Sequence, residues 1–361
     1  MQKITNVEEF QAVREKWGEK LLILGHYYIP DETIALTDRQ GDSLALSQFA
    51  AADETCEAII FCGVHFMAET ADILANSPEK IAKRGGKRIP VILPDMTSGC
   101  PMADMANMAE VNECWKRLGE LIDTEDLLPV TYVNSTAEVK AFCGQHGGVV
   151  CTSGNARRVL DWALTQRSRI LFLPDQHLGR NTALEMGIPR EEIVMWRKAD
   201  GAPAEAVRNA KIILWEGCCP VHDRMDAQKA AELKMEDPDA KLIVHPECEQ
   251  DLVCQSESAG STAFIIKEIQ NARLGERFII GTESHLVERL KKDYPELSIR
   301  HLGEPHPCED MAKNLPEALF HALEQLEDGQ FEDGTLANQV SVPEEIASDA
   351  RTALANMLKL G

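Results

Sequence analysis

The sequence predicts an α/β fold with parallel strands, read as three similar units of about 110 residues with a single doubly wound sheet as the alternative, and three observations lead there. Short apolar, β-rich runs alternate with longer stretches of helical periodicity, the pattern of parallel strands covered on both faces. The runs leave repeatedly into polar clusters on their carboxyl side, where open α/β sheets bind ligands. Strand starts at Leu21, Leu128 and Lys241 are spaced by 107 and 113 residues, so a unit of about 110 residues recurs.

In chain order, strands are expected at Leu21–Leu24, Ala58–Cys62 and Ile89–Leu93, then at Pro129–Val133, Gly148–Cys151, Ile170–Leu173 and Lys211–Trp215, then at Lys241–Val244 and Arg277–Ile280. Their exits fall into three sets. LLILGHYYIP, PVTYVNSTAE and KLIVHPECEQ form one; IIFCGVHFMAETA, VVCTSGNARRVL and SAGSTAFIIKEI a second; VILPDMTSGC, ILFLPDQHLGR and FIIGTESHLV a third. The tail differs. Leu323–Gly334 reads as an acidic, glycine-containing connection. Ser341 and Glu344 have capping-box spacing ahead of a last helix whose Ile346, Ala350, Ala353, Leu354 and Met357 repeat at helical intervals.

Composition narrows the function. A length of 361 residues exceeds one ordinary core. The net charge of −22 speaks against a nucleic-acid footprint and against anionic membranes. MQKITNVEEFQAVREKWGEK has no apolar signal region, so a cytoplasmic location is expected. There the 11 cysteines, an odd number, read as thiols or metal ligands rather than disulfides.

No CxxC pair occurs, which removes the usual support for zinc ribbons, thioredoxin-like motifs and bacterial ferredoxins; no GxGxxG follows a strand. The candidates are Cys100 in DMTSGCPMAD, Cys219 in WEGCCPVH and Cys308 in GEPHPCEDM, each in a loop beside a proline, 119 and 89 residues apart. Three thiolates leave a fourth coordination position open for substrate, and soft thiolates select zinc, copper(I) or iron–sulfur clusters. Cys56, Cys62, Cys114, Cys143 and Cys151 lie in apolar runs and read as core; Cys218, Cys248 and Cys254 stay ambiguous.

The motifs GHYY, GDS, FCGVHFMAETA, DMTSGC, TYVNSTAEVKA, CTSGNA, LPDQHLGRNTA, WEGCCPVH, VHPE, AGSTAFI and the Cys308 loop run in order from residue 25 to residue 311. In this series the chain resembles the quinolinate synthases. The resemblance implies three Rossmann-like α/β/α domains in pseudo-threefold arrangement around one central 4Fe–4S cluster. The corresponding spans are 1–105, with 310–361 docking on the body, then 106–200 and 201–309. It implies condensation of iminoaspartate with dihydroxyacetone phosphate to quinolinate, releasing phosphate and water, in NAD biosynthesis. It also points to functional coupling with L-aspartate oxidase. The cluster ligands implied are Cys100, Cys219 and Cys308, with adjacent Cys218 leaving the middle one to be checked. His26, Tyr28, Ser43 and Met67 would line the pocket from the first domain, and Tyr132, Asn134 and Ser153 from the second. His222, His245, Glu247, Ser261 and Thr262 would line it from the third.

The chemistry asks for anion donors in an acidic protein. Ser261 and Thr262 open a helix whose N–H groups suit a phosphate, although Ser-Thr before an apolar run is also an ordinary cap. Tyr132, Asn134, Ser43 and Ser153 offer neutral donors to carboxylates. Glu247 is the expected base, with His26, His222 and His245 as proton donors or phosphate partners and Tyr28 as donor or shield. Rival readings are a zinc hydrolase or lyase and a non-catalytic iron–sulfur carrier.

Overall fold

The computed structural model describes residues 3–329, 331, 332 and 335–360. They form two compact units: Met1–Cys100 with Pro307–Ala347, and Pro101–His306 with Ser348–Gly361. The first contains one sheet of β1 (Leu21–His26), β2 (Arg39–Gly41), β3 (Ala58–Cys62), β4 (Val91–Ile92) and a later antiparallel strand, Gln339–Val340. The second contains two sheets. One holds β5 (Leu127–Tyr132), β6 (Val149–Cys151), β7 (Arg169–Leu173), β8 (Ile193–Trp196) and β9 (Ile212–Trp215); the other holds β10 (Lys241–Val244), β11 (Ser258–Ala259), β12 (Arg277–Gly281) and β13 (Ser298–His301).

Apart from a small antiparallel pair, Phe331–Glu332 with Thr335–Leu336 in the first unit, the three larger sheets share one strand order. It runs β2-β1-β3-β4, β6-β5-β7-β9 (with β8 added at the edge) and β11-β10-β12-β13, every pair parallel. The chain is therefore three Rossmann-like α/β/α domains, each with the doubly wound order whose ligand crevice opens between its first and third strands. The physical cause is visible in burial. β1, β3, β5 and β9 are buried along their whole length, because helices cover both faces of a parallel sheet.

Each strand expected from the sequence is present, shifted by at most two residues at an end. The strands that the apolar runs did not announce are the edges. Arg39–Gly41 and Ser298–His301 expose residues on one side and carry charge, as edges do. Missing β2 also misaligned the sequence-level sets. GDS after β2, TSGN after β6 and GST after β11 are the equivalent exits of second strands, whereas IIFCGVHF leaves a third strand and VILPDMTSGC a fourth.

Two tail expectations change. Residues 323–328 belong to a helix, Pro316–Asp328, because Leu319, Phe320, Leu323 and Leu326 bury one stripe; residues 330, 333 and 334 of the expected connection lie outside the described residues. The last helix is Glu344–Leu360, so Pro343 precedes it and Ser341 is too far upstream to cap it. Its Ala350, Ala353, Leu354 and Met357 are buried as the spacing requires, with Ala347 in place of Ile346.

Candidate active site

The expected residues occupy matching slots in the repeated topology. His26 ends β1, Tyr132 ends β5 and His245 follows the last residue of β10: all three leave the first strand of a sheet. Ser43, Ser153 and Ser261 follow the second strands, and Cys100, Cys219 and Cys308 come next in the chain after the fourth. These exits flank the crevices that the strand order creates.

In the first unit, His26 is buried and its ring meets Tyr28 edge-on at 4.8 Å and 82°. The Tyr28 N–H donates to His26 Nδ1 at 3.2 Å. Met67 is buried in the helix His65–Ala75, and Ser43 opens Ser43–Ala52, which Asp42 caps through Ala45 N–H at 3.0 Å. Cys100 and Cys308 are half-buried. Their loops are tied together: Asp310 Oδ1 accepts from Gly99 N–H at 3.2 Å, and Lys313 Nζ donates to Thr97 O at 2.6 Å and to Asp310 at 2.7 Å.

In the second unit, Tyr132 is buried, and its carbonyl accepts from the Ser135 hydroxyl at 2.8 Å, closing the turn that carries Asn134. Asn134 Oδ1 is buried with no hydrogen-bond partner. Ser153 is half-buried in a turn pinned by Asn155 Oδ1, which accepts from Thr152 N–H at 2.7 Å. A side chain added at neighbouring Gly154 would stand 3.5 Å from Ser261 Oγ, so the two serine loops face each other. Ser261 caps the helix Thr262–Gln270 through Phe264 N–H at 3.3 Å, which realises the capping reading of that serine.

The centre of the unit is the group around Glu247. His222 Nδ1 lies 2.6 Å and His245 Nδ1 3.3 Å from Glu247 Oε2, and the two imidazoles stack at 4.4 Å. His222 Nε2 reaches the Thr282 hydroxyl at 3.1 Å, and its Nδ1 also lies 3.3 Å from Cys219 Sγ. Glu247, His222 and His245 are each almost wholly buried. Burial alone would raise the Glu247 carboxyl. The His245 and His222 imidazoles outweigh it and hold the group well below the ordinary carboxylate range. Glu247 Oε1 is buried with no hydrogen-bond partner. One oxygen of this ionised carboxylate is therefore held by the two imidazoles, and the other meets no hydrogen-bonding group of the protein.

Asp175 shows the opposite behaviour. Burial first, then repulsion from Glu247, push its carboxyl well above the usual range. It caps the helix Gln176–Glu185 through Leu178 N–H at 2.7 Å and accepts from Cys219 N–H at 3.2 Å. Gly217, two residues before Cys219, must be glycine, since a Cβ there would stand 2.4 Å from Pro174 O.

The environment also separates Cys219 from Cys218. The Cys218 thiol is pushed up to about 12, by burial and then by Asp223 and Asp175, so it holds its proton. Cys219 instead faces the His222 ring. The five core thiols, Cys56, Cys62, Cys114, Cys143 and Cys151, are buried and pushed upward by desolvation, as is ambiguous Cys248; Cys254 is exposed. Cys100, Cys219 and Cys308 are half-buried, as is Cys218, and half-buried thiols suit a soft metal group better than the core thiols do.

Two smaller donor sets bear on the zinc reading. Cys219, His222 and Glu247 offer ligand atoms within 4.8 Å of one another, as do His177, Cys218 and Asp223. In the first, both His222 nitrogens are already engaged. In the second, Arg180 donates to His177 Nδ1 at 2.6 Å, so the proton on Nε2 goes to Asp223 at 2.7 Å and a guanidinium stands where a cation would enter.

Fold and site together define an α/β enzyme with an ionised, buried carboxylate among imidazoles and a thiol at strand ends. Residues 8–359 match the family model described as Quinolinate synthetase A protein, and the chain belongs to that family. It is 47% identical over 356 residues to the quinolinate synthase of Rhodopirellula baltica, covering 97% of this chain and 90% of the relative. It is 46% identical to that of a Geobacillus species (99% and 95% covered) and 44% to that of Bacillus subtilis (97% and 91%). Among the described residues, no helix is long and apolar enough to cross a membrane.

Sequence reasoning gave no role to Asp175, His177, Asn181, Thr282, Asp310 or Lys313. The first three were present as the motif LPDQHLGRNTA, and Thr282 in FIIGTESHLV. Both leave third strands and were grouped together from the sequence, but the unseen edge strand put VILPDMTSGC beside them in place of IIFCGVHF.

Proposed function

We propose that this chain condenses iminoaspartate with dihydroxyacetone phosphate to quinolinate, releasing phosphate and water, on the route to NAD. Membership of the quinolinate synthase family supports the reaction. The observation in the molecule that carries it is the vacant, buried Oε1 of an ionised Glu247. Cys100, Cys219 and Cys308 would hold one 4Fe–4S cluster, and their half-buried thiols fit that group. When bound, it supplies an open iron whose Lewis acidity eases loss of water.

The residues divide the remaining work. Glu247 takes a proton at Oε1 while the two imidazoles hold Oε2, and His222 and His245 return protons to departing oxygens. His26 binds or protonates alongside Tyr28, whose ring packs on it and shields it from water. Ser261 and Thr262, at the amino end of a nine-residue helix, receive the phosphate. Tyr132, Asn134, Ser43 and Ser153 donate to carboxylates, and Met67 gives an apolar wall. The substrates are small molecules, L-aspartate oxidase is the source to which the reaction is coupled, and the setting is the cytoplasm.

The test is anaerobic purification followed by iron, sulfide and quinolinate assays. Cys219→Ser should lose the iron while Cys218→Ser keeps it. Glu247→Gln should keep the iron and abolish turnover, since loss of a general base costs about 10²–10⁴-fold. A colourless protein with stoichiometric zinc would sink the assignment.

A further inference from the structure

The motif at residues 173–183 carries more than a helix start. Its side chains reach the chain segments that present Cys219 and Glu247. Asp175 holds the Cys219 N–H, and His177 holds Asp223 four residues further on. Asn181, one turn along the same helix, reaches the segment after β10: its Nδ2 donates to Pro246 O at 2.9 Å and to Cys248 O at 2.8 Å. These are the two carbonyls that flank Glu247.

We propose that Asn181 is a positioning residue that aims the Glu247 side chain by fixing the peptide carbonyls on either side of it. This rests on the reading of Glu247 as the base. Both partners are carbonyl oxygens, so the group facing them is the amide NH2, and its two hydrogens serve one carbonyl each. A donor shared between the carbonyls of residues 246 and 248 fixes the backbone torsions at 247. The same turn is closed from within by Cys248 N–H donating to His245 O at 3.0 Å. It is anchored to the neighbouring strand by His245 N–H donating to Gly281 O at 2.9 Å.

Asn181 itself cannot drift. It lies on the buried side of Gln176–Glu185, whose Gly179 packs so closely that a Cβ there would stand 2.6 Å from Leu214 and from Phe172. Its Oδ1 is buried and unpartnered, so the residue keeps an unsatisfied acceptor while it holds the two carbonyls. That is a destabilising arrangement for a residue with only a packing role, because a buried orphan acceptor gives up its hydrogen bonds to water without replacement.

The experiment compares Asn181→Asp and Asn181→Ala with wild type and Glu247→Gln in the iron-loaded enzyme. The Asp side chain has the same shape but points carboxylate oxygens at two carbonyls. The Ala side chain leaves room for a water that can donate to both. We expect kcat to fall on the order of 10- to 100-fold, Asp worse than Ala, as misplacing a catalytic group by about 1 Å does. KM for both substrates should stay within about threefold, with iron, sulfide, absorption spectrum and Tm as in wild type. If Asn181→Asp does not fold, Asn181→Ala decides. Unchanged kcat in Asn181→Ala beside an inactive Glu247→Gln overturns the inference alone. Loss of iron or Tm in step with kcat also overturns it, because the role is then structural. Full activity in Glu247→Gln removes the base and the inference with it.

Discussion

Replacing Asp310 with Ala should loosen the hold on the proposed cluster, and the size of the effect follows from what that carboxylate touches. Its Oδ1 accepts from Gly99 N–H, directly beside Cys100, and pairs with Lys313, whose ammonium also holds Thr97 O. A charge-assisted hydrogen bond to a backbone donor at a largely buried carboxylate contributes about 1.5–2 kcal/mol. The Lys313 pair is more exposed and adds only about 0.3–0.5 kcal/mol. Losing both costs about 2 kcal/mol, so the population of loops opened away from Cys308 rises roughly 30-fold. Anaerobic iron release to a chelator, followed by absorbance, should speed up by about that factor when loop opening limits it. Asp310→Asn keeps an acceptor for Gly99 and loses the charge, so its effect should stay within about threefold. If Asp310→Ala releases iron at the wild-type rate, the tie between the loop that ends at Cys100 and the Cys308 loop has no bearing on metal retention, and the ligand assignment loses its local support.

Other outcomes follow from single contacts. Gly144→Ala places a Cβ 1.9 Å from the Asp349 carbonyl. The overlap outweighs the helix-propensity gain, and a loss of about 1–3 kcal/mol should appear as faster amide exchange in Glu344–Leu360; unchanged exchange would contradict the packing. Thr282→Val removes the hydroxyl on His222 Nε2 at constant shape and should lower kcat roughly fivefold, the worth of about 1 kcal/mol, without changing iron content. Iodoacetamide at pH 8 should label exposed Cys254 at least 1000-fold faster than Cys56. The Cys56 thiol is buried and pushed up to about 12, so at that pH about one molecule in 10⁴ is thiolate; comparable labelling by peptide mass spectrometry would refute that burial.

How much of this was legible in the sequence depends on what each feature needs. Central strands such as Ala58–Cys62 and Ile212–Trp215 are buried on both faces, so an apolar run marks them without help from partners. Edge strands such as Arg39–Gly41 are exposed on one side and short, so nothing in their composition sets them apart from loops. Single residues at strand ends, among them His26, Tyr132 and His245, were visible because a polar residue after an apolar run is itself the signal. Pairings were not. That Asp175 would meet the Cys219 N–H, or Asn181 the carbonyls beside Glu247, depends on how the helix after β7 lies along the neighbouring sheet. No local pattern encodes that.

The repeated strand order explains why chemistry of different kinds appears in corresponding places. A strand exit is a position before it is a residue: the fold fixes where the first side chain beyond the sheet emerges, and the sequence chooses what it is. The first-strand exits carry His26, Tyr132 and His245, the second-strand exits Ser43, Ser153 and Ser261, and the chain after each fourth strand reaches a cysteine. Serine recurs in its slot, two residues beyond the end of each second strand. Cysteine recurs in its slot although the flanking residues differ. The first-strand slot diverges, with an imidazole in two copies and a phenol in the other. Only in the last copy does a carboxylate stand two residues beyond that slot, at Glu247, and only there do two imidazoles and an amide from the neighbouring helix converge to hold it. A duplicated fold supplies the positions; the added contacts around one of them set Glu247 apart from its counterparts Tyr28 and Asn134.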